Sequence, residues 1–550
     1  MTRRLLVIGL DGFETTIADA LIREGRMPNL EKLMGNAARV NLEHGPAKRT
    51  GLAWEHFSTG LTPESAQRWS AVTFDAQRYR CWQTPTRLPP FPSKLDVKTV
   101  IFDAPYFDLG QAQDVEGMVS WGAHDPGTPQ RAHPDSLAAE IQTRFGIYPA
   151  EPWIYGYTWA SPSRTRLMSD ALVEATHSRA EISQWLLRDR FPEWSLGIVV
   201  VSELHSAVEA LWHGIDEAHP LHALPSARPA RRGLEAVYAA VDGLIGRLVE
   251  SFPESSHLVF SMHGMGPNEA DVAAMALLPE FLYRRHFGRP RLRTNADERG
   301  ALVGIGEDES WTAHVRSQWI QEPPKPRKRD SRLLRSFVQP VRQLIQRIRR
   351  AGSGANADSL AWMPAAWYAP YWPTMSAFAL PAFYDGQIRL NVHGREARGV
   401  VVPDHYDSVC QAIASELTAC TDPRTSRSVV REVVFTHPGD PSGVTETEAD
   451  MIIVWQDAPT AFQSSGSETI GPLAYRRPGG HTGGYGLSLW SGSDFSAGER
   501  SVHSAFDVVP TIVEYLTVNS QCTCDGRSFL AEIQSEHAAS RPNISSLEPR

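Results

Sequence analysis

LLVIGLDGFE (5–14) is an apolar run ended by a carboxylate, and GPAKRTGLAWEHFSTG (45–60) follows it with a hydroxyl set between basic residues and a glycine. The first stretch reads as a short buried β-strand with Asp11 at its C-terminal end. The second places Thr50 in a loop or at a helix start. A threonine hydroxyl is a poor nucleophile near neutral pH, so its use in chemistry requires a cation or a base to take its proton. A hard carboxylate at a strand end is what would hold such a cation. LLVIGLDG alone is equally an ordinary strand and turn. It contains no G-x-G-x-x-G, so a dinucleotide fingerprint is not supported.

Working outward, apolar β-rich runs recur at LLVIGL (5–10), KTVIFD (98–103), LGIVVVS (196–202), HLVFSM (257–262) and MIIVW (451–455). Between them lie helix-like stretches such as LEAVYAAVDGLIGRLVESF (234–252), with apolar positions three and four apart. Continuous apolar strands alternating with amphipathic helices predict an α/β fold with a mostly parallel central sheet covered by helices on both faces. Chemistry in such sheets collects at the C-terminal ends of the strands. Asp11, His205 and His263 all fall at or just past such ends.

Composition narrows the class. The 550 residues suffice for two folding units or one large domain with insertions, and 42% hydrophobic and 21% charged residues are ordinary for a globular chain. A net charge of −9 argues against general nucleic-acid binding. The five cysteines are odd in number and scattered, unlike a disulfide framework, and the Cys522/Cys524 pair lacks a second pair to complete a metal site. The apolar run after Arg3 and Arg4 is too short for a secretory signal, and no stretch approaches a membrane span of ~20 apolar residues. Cytoplasmic residence is the expectation.

The segment 283–370 differs from the rest. EPPKPRKRD (322–330) and AGSGANADS (351–359) read as linkers around RLLRSFVQPVRQLIQRIRR (332–350), a basic amphipathic helix broken by Pro340. Either this is a solvated insertion or 322–350 contacts an anionic surface. The expected organisation is a discontinuous core of 1–282 and 371–535, the insertion 283–370, and a flexible tail 536–550. The aromatic group Trp362, Trp367, Tyr368, Tyr371 and Trp372 either packs the insertion onto the core, the favoured reading, or faces substrate. SWGAHDPG (120–127), with His124, reads as an ordinary turn or as a loop over the pocket.

Four segments carry candidate ligands. VVVSELHSAVEALWHGID (199–216) runs from strand into helix, and His205 and Glu209, four apart, share one helical face and could hold a cation jointly. VFSMHGMGPNE (259–269) ends a strand in His263. RRPGGHTGGYG (476–486) uses glycines to bring the backbone at His481 close to a ligand. With Asp11 and Thr50 these give nitrogen and oxygen donors suited first to zinc and then to manganese.

These residues carry a resemblance to the alkaline phosphatase superfamily, specifically its type I phosphodiesterase/nucleotide pyrophosphatase branch. GLDGFE resembles that family's metal-binding strand end, and TGLAWEHFSTGLTP its nucleophile segment. SELHSAVEALWHGID resembles E-T-D-x-x-x-H-x-x-W-H-x-x-D, SMHGMGPN resembles S-D-H-G-M-G, and GGHTGGYG with SAFDVVPTIVEYL (504–516) resembles its closing histidine loop and last helix. IRLNVHGREARGVV (388–401) also resembles a family segment. The resemblance implies Thr50 as nucleophile and two cation sites, one of Asp11, Thr50 and His263, the other of His205, Glu209 and His481.

Two departures qualify this. His205 and Glu209 stand where the family has Asp and His, and Met262 stands where it has Asp. The exchanged pair still offers two imidazoles and a carboxylate. The thioether of Met262 is a poor substitute for a carboxylate on a hard cation. Glu203 could swing in to replace it, or Lys48 and Arg49 could supply the positive charge instead. The function implied is metal-dependent hydrolysis of a small-molecule phosphoester, of phosphodiester or nucleotide pyrophosphate type, through a covalent threonine intermediate. The alternatives are a degenerate member that binds without turnover, or a phosphoryl-type transferase on the same scaffold.

Overall fold

Every residue of the strand Leu5–Leu10 is buried, which fits a run with no polar alternation placed in mid-sheet. The computed structural model describes residues 3–112, 114–123, 128–154, 161–293, 302–306, 309–321, 360–464, 469–516 and 522–535. Leu5–Leu10 lies between Leu196–Val201 and Ser256–His263, parallel to both, and the parallel set continues through Thr99–Phe102 to Val115–Val119. Arg131–His133 finishes one edge antiparallel; toward the other, Tyr485–Ser491 runs antiparallel between Ser256–His263 and Ala38–Glu43, and the short strands Gly498–Glu499 and His503–Ser504 pair with the last, within a ten-stranded whole.

Helices cover both faces. The long helices Pro162–Trp185 and Ala227–Ser251 pack on one side, where Val237, Val241, Leu244 and Leu248 point inward at helical spacing. On the other face Ala53–Thr59 and Val508–Leu516 close over Leu5, Val7, Ile198 and Val200. The predicted mostly parallel α/β architecture is therefore the one observed.

The run 451–455 is a correction. Met451–Trp455 belongs not to the main sheet but to a separate four-stranded antiparallel sheet with Ala377–Leu380, Gly386–Leu390 and Val430–Phe435. A short apolar run reads as a buried strand in either sheet, and only its partners decide which. This sheet has its own apolar core, to which Leu292, Trp311, Leu360, Tyr368 and Trp372 contribute. The described parts of 283–370 thus pack against the second sheet. The basic segment 322–350 and the tail 536–550 lie outside the described residues. No helix among the described residues is long and apolar enough to cross a membrane.

Candidate functional site

Three strand ends meet at the site. Asp11 follows Leu5–Leu10, His263 ends Ser256–His263, and the helix Glu203–Leu211 begins two residues after Leu196–Val201. Gly12 permits the junction. Its φ is +79°, and a Cβ there would stand 2.4 Å from the His205 Cα, so a side chain would push the helix off the strand end. The helical spacing brings His205 Nε2 to 3.2 Å from Glu209 Oε1. His205 Nδ1 lies 2.9 Å from Asp11 Oδ2, and His481 Nε2 lies 3.0 Å from His205 Nε2.

Charge continues outward from this line. Arg477 forms an ion pair with Glu209 and reaches Asp271 at 2.9 Å, and Arg476 reaches the same carboxylate at 2.5 Å. Burial opposes a charge on His205, but the carboxylates of Asp11 and Glu209 outweigh it and raise its pKa to about 10. His481 goes the other way, held well below the usual value by burial and by its neighbours His205 and His263. Burial likewise opposes charge on Asp271, yet the two guanidinium groups keep its pKa low.

Thr50 ends the short helix Gly45–Thr50, and Gly51 follows it in a left-handed conformation at φ +72°. A Cβ on Gly51 would stand 2.1 Å from the Tyr384 ring, so the Thr50 turn and the second sheet's Ala377–Leu380/Gly386–Leu390 hairpin press together there. The Thr50 hydroxyl donates to Ala47 O at 2.8 Å and accepts from Leu52 N at 3.1 Å. His263 Nδ1 engages Gly264 O at 2.9 Å, which leaves Nε2 as its remaining ring nitrogen. A cavity of about 450 Å³ brings Asp11, Thr50, His205, Glu209, His263 and His481 onto one lining, with Lys48, Arg476, Arg477 and Tyr384.

All six residues singled out in the sequence therefore converge, but two supporting ideas do not hold. Glu203 cannot swing toward Thr50. It is fully buried and paired with Arg179 at 2.8 Å, while Tyr148 donates to it at 3.2 Å. Arg49 turns away to Glu432 at 2.7 Å and Asp385 at 3.7 Å. Met262 packs among Trp54, Phe57 and Phe260 in the apolar core. Of the aromatic group, Tyr368 and Trp372 are core residues, whereas Trp362 lines the cavity with the Arg476 guanidinium 4.9 Å from its ring centre. His124 lies outside the described residues.

Sequence reasoning missed several neighbours. Arg476 and Arg477 stand inside a quoted motif, and their position beside its glycines was the available signal. Asp271 and Tyr384 gave none, because distant elements deliver them. His44 and His56 flank the Thr50 turn from within: their ring nitrogens are 3.0 Å apart, and His44 stacks on His263 at a centroid distance of 5.9 Å. Burial, with Arg68 adding to it, lowers the His56 pKa to about 3.

A tetrahedral zinc with ligands at ~2.1 Å would set neighbouring donor atoms about 3.4 Å apart. The 3.0 and 3.2 Å edges of the His205, Glu209 and His481 group match that scale, and these three could hold one ion. His481 Nδ1 is buried without a hydrogen-bond partner among the described residues. Asp11 on His205 Nδ1 would fix the tautomer and leave Nε2 for the ion. The set for a second ion beside Thr50 is poorer: Asp11 Oδ2 already engages His205, and the Lys48 ammonium shares the wall.

No curated relative matches the chain. Among solved structures, murine ectonucleotide pyrophosphatase/phosphodiesterase 5 aligns at 12% identity and a TM-score of 0.44, covering 97% of this chain and 100% of that one. Phosphonoacetate hydrolase from Sinorhizobium meliloti 1021, in complex with phosphonoformate, aligns at 13% identity and 0.41, covering 94% and 96%. The family model for type I phosphodiesterase/nucleotide pyrophosphatase matches residues 5–339, a span that includes Asp11, Thr50, His205, Glu209 and His263 but not His481. The chain belongs to the type I phosphodiesterase/nucleotide pyrophosphatase family.

Proposed function

We propose that the protein hydrolyses small-molecule phosphoesters, of phosphodiester or nucleotide pyrophosphate type, with Thr50 as nucleophile and one divalent cation, zinc before manganese, held by His205, Glu209 and His481. The observation that carries this reading is the single cavity lined by Thr50, His263 and the three-residue group together. The cation, when bound, would supply positive charge to an oxygen of the phosphoryl group. Thr50 Oγ bonds to phosphorus as the bond to the departing oxygen breaks, the electron pair leaving with that oxygen, which takes a proton from water. His263 Nε2 accepts the Thr50 proton. The hydroxide formed then attacks phosphorus, and Thr50 departs with its electron pair and regains the proton from His263.

Bis(4-nitrophenyl) phosphate, supplied with zinc or manganese, tests this. Thr50→Ala should lose about 10³-fold or more in kcat/KM while binding the cation as before. Equal rates in wild type and variant would overturn the assignment. One observation favours a second reading, binding without turnover: Arg477 already pairs with the Glu209 carboxylate. A wild-type protein that binds phosphoester and cation yet shows no turnover would select it.

A further inference from the structure

Four basic side chains stand around the nucleophile, and three are neutralised. Arg49 is spent on Asp385 and Glu432, while Arg476 and Arg477 are spent on Asp271 and Glu209. Lys48 has no carboxylate within 4 Å among the described residues, and its Nζ donates to Gly483 O at 3.0 Å. An ammonium has three donors, so two are left for the cavity that Lys48 lines beside Thr50 and His263.

The anchor places that charge. Gly483 sits so close to the strand end after His263 that a Cβ on it would stand 2.2 Å from the Gly264 carbonyl carbon, and Gly264 N donates to Gly484 O at 3.3 Å. Lys48 is thereby tied to the turn that follows His263, the side of the cavity where the donor set for a second cation is poorer.

We infer that the Lys48 ammonium stands in for a second cation, contacting the anionic oxygens of the transferred phosphoryl group, so that the protein works with one divalent cation per chain. This rests on the phosphoester-hydrolase reading above. A lysine suits the task as a compact point charge that needs no carboxylate ligands, and a dication beside it would meet like charge without the extra carboxylate to offset it.

Two measurements on the full-length protein test this. Elemental analysis after zinc loading and dialysis should give one ion per chain, and two would overturn the inference. Calorimetric titration of the zinc-loaded protein with inorganic phosphate should show at least tenfold weaker binding in Lys48→Gln, with one zinc retained and an unchanged melting temperature, and partial recovery in Lys48→Arg. Unchanged phosphate affinity in Lys48→Gln, or no phosphate binding by wild type, would overturn it. The phosphate titration does not depend on turnover. A wild type that hydrolyses nothing but loses phosphate affinity with Lys48→Gln would refute the hydrolase reading and leave the Lys48 contact standing.

Discussion

Asp11 Oδ2 lies 2.9 Å from His205 Nδ1, so the carboxylate after the first strand acts on an imidazole in the first turn of the helix Glu203–Leu211. A carboxylate on one ring nitrogen fixes the tautomer and aims the other nitrogen, here toward Glu209 and His481. Asp11→Asn should lower cation affinity about 10–100-fold with the fold intact. Competition against a chromophoric chelator measures this, and undiminished affinity would contradict the role given to Asp11.

Cation binding should also depend on pH. In the cation-free protein His205 carries a proton, its pKa raised to about 10 against the cost of burial by Asp11 and Glu209. A cation at His205 Nε2 must displace that proton, so zinc affinity should rise by nearly tenfold per pH unit across roughly pH 7–9. Chelator competition at three pH values would show the slope, and a flat profile would count against His205 as a ligand.

The same proton sets a stability trend of opposite sense. A folded pKa above the unfolded value of about 6.5 contributes stability that is fully present below pH ~6.5 and is lost as pH rises through about 10. Urea midpoints of the cation-free protein should therefore fall between pH 6.5 and 9.5, less steeply in His205→Gln. Parallel trends in the two proteins would assign the effect elsewhere.

Arg179 joins the strand ends from beneath. Fully buried, it pairs at 2.8 Å with both Glu203 and Asp103, and Asp103 accepts from the backbone of Trp121 and Gly122 at 2.7 and 2.8 Å. Removing one partner of a buried pair costs about 3–5 kcal/mol because the other charge is left uncompensated. Arg179→Gln, which leaves the buried carboxylates of Glu203 and Asp103 without their cation, should lower unfolding free energy on that scale. A loss below about 1 kcal/mol would show that the network is solvated or relaxes.

Much of this was legible in the sequence, for physical reasons. The strands Leu5–Leu10 and Leu196–Val201 are continuous apolar runs and Ser256–His263 is centred on one, and Asp11, His205 and His263 fall at or just past their ends. His205 and Glu209 were readable as a pair because helical spacing is local. What was not legible depends on contacts between distant segments. Met451–Trp455 looks like any buried strand until its neighbours are known. Glu203 looked free to move because Arg179 lies in a separate helix, and Tyr384 reaches the cavity only through tertiary packing.

Gly51 offers a test of how tightly the second sheet presses on the nucleophile turn. Gly51→Ala places a Cβ against the Tyr384 ring at a left-handed backbone position, a strain of about 1–3 kcal/mol. Turnover should fall, and because the Tyr384 ring packs edge-on against His481 at a centroid distance of 5.0 Å, zinc affinity should fall with it. Full activity would mean the turn and hairpin yield freely.

The covalent intermediate is the central claim, and it can be trapped. Rapid acid quench of the zinc-loaded protein with bis(4-nitrophenyl) phosphate, followed by tryptic mass spectrometry, should place a phosphoryl-ester adduct on Thr50 in the peptide Thr50–Arg68. The adduct should be absent from Thr50→Ala. An adduct on another residue, or one that persists in Thr50→Ala, would contradict the account.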